Sequence, residues 1–333
     1  MGHSSRARTL AATATALLLS GGVAAAATIT LNGASQFDEN HPFARTMARF
    51  QELVEGYYDG PEDLEFVLHL DSELGLEKDY FAYMSQGISV DYAVVAPAHM
   101  SAFSPMAPLL DMPLLFRDLD HWNRVLEGDA LQPIADEIAD NADVMIIGYA
   151  GGGTRNLVVD RPVETAAELN GLPIRVMGAP IQARIFASFA MAPTVIAYGE
   201  IYDAIQTGVI HAAENEAAGI EQMRFYEVGP HIVRTEHAIT VRPLCFSGKT
   251  FRRLPDGLRA AILRAGKEAG AYGRELESSQ DAGKLARMEK DGLLTVHEFK
   301  DRARLLELAE PVKEAYAEEL GALAVYKAVN AVQ

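Results

Sequence analysis

The sequence predicts an α/β protein of two lobes, each a mostly parallel sheet flanked by helices, with one long helix running between them. Three observations lead there. Apolar runs of strand length alternate with amphipathic runs of helical period through most of the chain, the pattern of parallel strands covered by helices on both faces. The chain has 333 residues, room for two separate cores. From Pro255 a helical pattern persists far beyond the ~11–12 residues of a mean helix.

Taken in order, ATITLNGAS has strand character. In HPFARTMARFQELVEGYYDG, Phe43, Met47, Phe50 and Leu53 recur at spacings of three and four, predicting an amphipathic helix stopped by Gly60. LEFVLHL then reads as a strand, GLEKDYFAYMSQG as a helix and VDYAVVAP as a strand. DMPLLF (111–116) is a loop with apolar anchors, HWNRVLEGDALQPIADEIADNA is helical, and VMIIGYA is a strand. GGGTRNLVV opens the second half, its glycines reading as a flexible turn. PVETAAELNG is a short helix, with Pro162 near its start and Gly171 past its end. PIRVM is a strand, PIQARIFASFAM a helix, PTVIAY extended, GEIYDAIQTG a helix and VIHAAEN a strand. ITVRPLCFSGKTF reads as two strands returning to the first lobe. The long run after Pro255 either bridges the lobes or folds as a kinked pair of helices. The tail RARLLELAEPVKEAYAEELGALAVYKAVNAV is a helix broken near Pro311.

The first residues, MGHSSRARTLAATATALLLSGGVAAAA, stand apart. Arg6 and Arg8 precede an apolar stretch from Leu10 to Leu19, then small residues, which is the build of a secretory signal cleaved near Ala26. That stretch is too short for a comfortable membrane span. The single cysteine, Cys245, rules out an internal disulfide, and an exported chain large enough not to need one fits a bacterial periplasm. The formal net charge of −17 excludes the basic footprint that nucleic-acid binding requires.

Local motifs for catalysis or cofactors are missing. GGGTR at 151–155 lacks the spacing of a dinucleotide loop, and SGKT at 247–250 lacks the upstream glycine of a phosphate loop, since position 243 is proline. The histidines show no metal-ligand spacing, no serine sits in a G-x-S-x-G elbow, and Cys245 lies in an apolar strand. No cofactor and no metal is expected.

One feature does ask for a partner. In GLPIRVMG, Arg175 emerges among Ile174, Val176 and Met177, and an unpaired cation there costs several kcal/mol. Two partners satisfy it: an acid of the same chain, or a ligand carboxylate gripped through two parallel hydrogen bonds. The residues alone do not choose. Arg155, at the end of another expected strand, stands beside glycines that let a ligand approach.

GGGTRNLVVDRPVETAAELNGLPIRVMG, followed by APTVIAYGEIYDAIQTGVIHAAENE, resembles the core of the solute-binding proteins of TRAP (tripartite ATP-independent periplasmic) transporters. SELGLEKDYFAYMSQGISVDYAVV, DMPLLFRDLDHW and FYEVGPHIVRTEH extend the resemblance over nearly the whole mature chain. It implies a two-lobed periplasmic-binding-protein fold with a ligand cleft between the lobes. It makes Arg175 the carboxylate-clamping arginine, Arg155 a second arginine near that carboxylate, Asn215 a hydrogen-bonding asparagine and Tyr198 the aromatic lining residue. It further implies delivery of the solute to integral membrane subunits of a sodium-coupled importer. Two departures stand out. His211-Ala212-Ala213 replaces the usual Asp-Gly, and Ala96-Pro97 stands where sialic-acid-binding relatives carry an acid, which disfavours that ligand.

The expectation is therefore a non-enzymatic periplasmic protein that binds a small organic acid, most simply a hexuronate or aldonate. Its lobes are placed at 27–152 with 241–280, and at 153–240 with 281–333. Asp38, Glu39 and His41 before the first helix, and Glu77 at the start of the second, are candidates for the ligand's hydroxyls, with helix capping as their alternative. His237 is a further candidate contact. The rival readings are an enzyme using Glu214 or His237 as acid or base, and a ligand-loaded partner of a membrane sensor.

Overall fold

The structure, a computed structural model, describes residues 1–2 and 27–333, so the leader predicted over 1–26 lies, apart from its first two residues, outside the described residues. The chain opens with β1 (Thr28–Ala34), α1 (Pro42–Tyr57), β2 (Asp63–His69), α2 (Glu77–Gln86) and β3 (Tyr92–Val94). Short 3-10 turns at Pro97–Met100 and Ala107–Asp111 lead to α3 (Leu119–Glu127), α4 (Gln132–Ala142) and β4 (Val144–Val159). Next come β5 (Pro173–Val176), α5 (Pro180–Ser188), β6 (Ala192–Val195), α6 (Ile201–Gln206), β7 (Ala212–Asn215) and α7 (Ala217–Gln222). β8 (His231–Ser247), the single turn α8 (Gly248–Phe251), α9 (Asp256–Lys290), β9 (Thr295–Glu298), α10 (Arg302–Glu319) and α11 (Leu323–Ala331) follow. Among the described residues no helix is long and apolar enough to cross a membrane.

The strands form one mixed sheet in the order β2-β1-β3-β8-β4-β7-β5-β6, with β9 beside β8. β1 lies parallel to β2 and β3, and β5 parallel to β6 and β7, each reached through a helical crossover. Antiparallel pairing involves β4 and β8, which run against each other and against β7 and β3. These two long strands join the halves of the sheet. Residues 144–151 of β4 pair with 241–247 of β8, and 154–159 pair with 231–239, the register slipping between Gly151 and Thr154. β1, β2 and β3 flank the first stretch; β5, β6, β7 and β9 flank the second.

This corrects two expectations. The glycines at 151–153 are not a turn, and ITVRPLCFS is not two strands. Gly151 and Gly152 take φ of 108° and 115°, which a residue with a Cβ resists, and so absorb the slip as a bulge while the strand continues. The Thr240 hydroxyl accepts from both Gly152 N (2.9 Å) and Gly153 N (3.0 Å), closing the gap in the ladder.

The long run is a single helix, α9, of 35 residues rather than a kinked pair. Its first half buries Leu258, Ile262 and Ala265 against Phe50 and Met47 of α1 and Leu244 of β8. Its last turns bury Leu285 and Met288 with Ile201, Ile205 and Ile232 of the other half-sheet. Each buried leucine, isoleucine or methionine among them contributes about 1.5–3 kcal/mol, and the alanine less. Between them the helix presses on β4: a Cβ at Gly270 would sit 2.7 Å from Tyr149 N.

Smaller differences have local causes. α1 ends at Tyr57 because Tyr58 turns extended (φ −88°, ψ 122°), before Gly60 is reached. The helical stretch after His121 splits into α3 and α4, since Gly128 is extended and Pro133 restarts the helix. The Pro162–Gly171 segment makes only a 3-10 turn at Ala166–Leu169, and β9 carries no alternating pattern to announce it. Pro311 does not break α10: Pro311 and Glu307, whose carbonyl loses its helical donor, both face solvent.

Candidate functional site

Arg175 comes from β5, an inner strand between β6 and β7. The apolar alternation that buries Ile174 and Val176 carries the arginine inside with them, leaving it 1% exposed. Its Nε donates to Ile196 O at 2.9 Å, and its Nη1 is buried without a partner. Among the described residues no carboxylate pairs with it. The guanidinium stands 5.7 Å from the centre of the Tyr198 ring. Burial pulls its pKa from 12.5 down to about 10; Glu214 pulls the other way and Arg155 adds to the fall. The same-chain acid that the sequence left open is not there.

Arg155, on β4, is the reverse case. Nε and Nη2 grip both carboxylate oxygens of Glu214, Nη2 also reaches Glu214 O (2.8 Å), and Nη1 donates to Asn215 Oδ1 (3.0 Å) and to Glu216. A guanidinium has five N–H donors, and all five are engaged. Burial opposes the ionisation of Glu214, but Arg155 and His237 outweigh it and hold the carboxyl well below its usual range. His237 Nε2 lies 3.2 Å from Glu214 Oε2, and its Nδ1 2.8 Å from the Thr235 hydroxyl. Since ionised Glu214 can only accept, the imidazole carries its proton on Nε2.

Arg175 opens on a narrow cavity of about 20 Å³, room for little more than one water molecule. Tyr198, Asn215, Glu77, His99, Met177 and Arg242 line it, with Gln36 and Phe37 from the segment after β1 and Phe43 from α1. Asn215 Nδ2 donates to Tyr198 Oη at 2.8 Å, so the tyrosine keeps its own proton to donate into the cavity. Glu77, first residue of α2, is buried; it accepts from Gln36 Nε2 (3.1 Å) and from Ala96 N. Burial lifts its carboxyl to about 7, with Arg242 and the Ala96 N–H restraining the rise. The arrangement offers one unmatched cation, a hydroxyl donor and buried acceptors. It has the means to hold an anion bearing hydroxyls.

The comparison with known proteins agrees with this arrangement. Residues 33–319 match the model of the bacterial extracellular solute-binding proteins, family 7. The chain belongs to this family, that of the TRAP solute-binding proteins. A solute-binding protein of Sulfitobacter sp. (strain NAS-14.1) is 53% identical over 327 residues, covering 96% of this chain and 98% of the relative. A TRAP periplasmic solute-binding protein from Sulfitobacter sp. NAS-14.1, solved with bound α-D-taluronate, is 54% identical with a TM-score of 0.88, over 90% of this chain and 97% of that one. One from Roseobacter denitrificans, solved with bound β-D-glucuronate, is 26% identical with a TM-score of 0.84, over 92% and 100%.

Within the family 7 fold, the residues expected at the ligand divide into two groups. Arg175, Tyr198, Asn215 and Glu77 share the cavity, and Arg155 forms part of its wall with no donor left over. The other three lie elsewhere. His237 sits behind Glu214 among the apolar side chains of Phe186, Phe189 and Leu157. His41 caps α1, its Nδ1 accepting from Phe43 N (3.2 Å), and stacks on Phe37 with ring centres 3.7 Å apart. With Asp38, Asn40 and Lys284 it borders a neighbouring hollow of about 310 Å³. Glu39 is exposed and lines neither cavity. His41 thus caps the helix through Nδ1, and its Nε2 is buried without a partner among the described residues. The sequence reading missed Arg242, whose signal was present: VRPL in β8 sets an arginine in an apolar strand just as PIRV does.

Proposed function

We propose that this chain is the substrate-binding subunit of a TRAP transporter, capturing a sugar acid such as a hexuronate or aldonate outside the cytoplasmic membrane and passing it to membrane subunits. The observation that carries this reading is the buried Nη1 of Arg175, without a partner in the wall of a cavity that also presents Tyr198, Asn215 and Glu77. A ligand carboxylate supplies the missing counter-charge through the two-pronged contact that guanidinium geometry favours. Sugar acids bound to the two relatives support the choice of ligand class.

In this reading, one lobe comprises 27–152 with 241–280 and the other 153–240 with 281–333. They meet where β4 and β8 slip register at Gly151–Thr154, and α9 spans both. Closure around the ligand brings Glu77 and Arg242 of the first lobe to the molecule held by Arg175 of the second. The role is binding without turnover. Glu214 is held ionised and occupied by Arg155, and His237 lies behind it, so neither is poised to move a proton in the cavity. Calorimetric titration of the mature protein with D-taluronate, D-glucuronate and D-galacturonate tests the proposal, with product analysis of the bound acid. Micromolar or tighter binding with the acid recovered intact is expected. No binding of any sugar acid, or its conversion, overturns it.

A further inference from the structure

Three arginines line the cavity; Arg155 has every donor engaged, and the surroundings of the other two differ. Arg175 has no acid in contact. Arg242, from β8, has its Nη1 held by Asp111 Oδ1 (3.0 Å) and Val241 O (3.0 Å), so its charge is already balanced, yet its Nε is buried without a partner. The guanidiniums stand over different rings, Arg175 over Tyr198 at 5.7 Å and Arg242 over Phe43 at 5.6 Å. Phe37 lies between those rings, 5.7 Å from Tyr198 and 5.3 Å from Phe43. Phe37 thus meets edge-on both the ring beside the uncompensated cation and the ring beside the compensated one. Beside Arg242 stands Glu77, whose two oxygens accept from Gln36 Nε2 and Ala96 N, leaving lone pairs but no proton to offer an anion when ionised.

We propose that Glu77 and Arg242 form a distal subsite that selects sugar acids with a single carboxylate, accepting hydroxyl protons at Glu77 and donating from Arg242 to a neutral oxygen. The subsite rejects the matching aldarates, which carry a carboxylate at each end. This rests on the reading of Arg175 as the carboxylate anchor. With one end of a dicarboxylate on Arg175, the other meets the Glu77 carboxylate and a guanidinium whose charge Asp111 has already cancelled. Like charges meeting in a buried cavity are the means of rejection.

The discrimination depends on pH. Burial lifts the Glu77 carboxyl to about 7. The charged and titratable groups facing it are Arg242 and Cys245 from β8, Asp111 from the second 3-10 turn, Glu216 after β7, Arg175 from β5, and Tyr80 one turn along its own helix; His99 of the 3-10 turn at Pro97–Met100 lines the same cavity and is held neutral by burial and by Arg175 and Arg242. Protonated Glu77 becomes a donor, and the rejection weakens.

The test is titration calorimetry of the mature protein with D-glucuronate and D-glucarate at pH 6.0 and 8.0. At pH 8.0 glucarate is expected to bind at least tenfold more weakly than glucuronate, the gap closing several-fold at pH 6.0. In Glu77→Gln the gap falls to about threefold or less and no longer varies with pH. Equal binding of the two acids to the wild type at pH 8.0, or a gap independent of pH, overturns the distal subsite while leaving the anchor intact. Failure of glucuronate and of every other sugar acid to bind removes the anchor and this inference together. The wild-type pH comparison decides the matter even if Glu77→Gln fails to fold.

Discussion

Replacing Arg175 by methionine separates the ligand role from a structural one. The substitution keeps length and apolar stem but removes the guanidinium. In the structure this cation is buried, with one hydrogen bond to Ile196 O and no acid beside it among the described residues. The fall of its pKa from 12.5 to about 10 corresponds to a penalty of about 3 kcal/mol on the charged form. Losing the Ile196 contact returns about 1 kcal/mol or somewhat more. Arg175→Met is therefore expected to be at least as stable as the wild type without ligand, by about 1–2 kcal/mol in urea unfolding. Its response to sugar acid should nearly vanish. Two charge-assisted hydrogen bonds contribute about 1.5–3 kcal/mol each, so affinity falls by about two to four orders of magnitude. In a thermal-shift assay the wild type, at a ligand concentration 100 times its Kd, gains about 2.7 kcal/mol, and the variant at the same concentration gains about 0.4 kcal/mol or less. A variant strongly destabilised without ligand, yet still stabilised by it, would refute the reasoning. Arg175→Lys keeps the charge without the fork and should bind at least tenfold more weakly than wild type; normal binding by the lysine variant excludes the two-pronged contact.

Glu214→Gln leaves Arg155 with only Glu216 as counter-charge in a buried network, and should cost about 3 kcal/mol in denaturant unfolding; a change within 0.5 kcal/mol would mean the network is not a strut. Buried carboxyls and buried histidines tilt the pH dependence of stability in opposite directions. Burial raises the carboxyls of Glu77 to about 7 and Asp281 to about 6, and raises Glu277, so these three groups contribute stability that is lost as pH rises between about 4.5 and 7, whereas His41, His99 and His237, held below their usual range by burial, contribute stability that is gained as pH rises toward 6.5. For Glu77 alone the loss is about 3 kcal/mol across the window, read as the difference between wild type and Glu77→Gln in denaturation midpoints at pH 5 and 8. Along α9, Gly270→Ala places a methyl 2.7 Å from Tyr149 N and should cost about 1–3 kcal/mol. Gly283→Ala, with nothing within 4 Å of its new methyl, should instead add up to about 1 kcal/mol; equal effects would mean that α9 does not press on β4.

Much of this protein was legible locally. The spacing of Phe43, Met47, Phe50 and Leu53 specifies the buried face of α1, and the run after Pro255 specifies α9, because periodicity and burial are written residue by residue. PIRV announced a buried arginine in need of a partner for the same reason. What local pattern does not carry is the identity of the partners. Arg155 reads in sequence like a second ligand arginine, but its acceptors lie 59–61 residues further along, and only the pairing of β4 with β7 brings them together. That pairing turns a free donor into a full one. Likewise GGG reads as a turn until β8 is laid beside it and Thr240 takes up its N–H groups. Arg242 and Glu77 become neighbours of one cavity only when β8 and α2 are folded to the same edge of it. The amino-acid order determined which groups are buried and in which element. Tertiary structure decided which buried charges are matched, since matching is a property of distance between residues far apart in the chain, and it left Arg175 without an acid beside it.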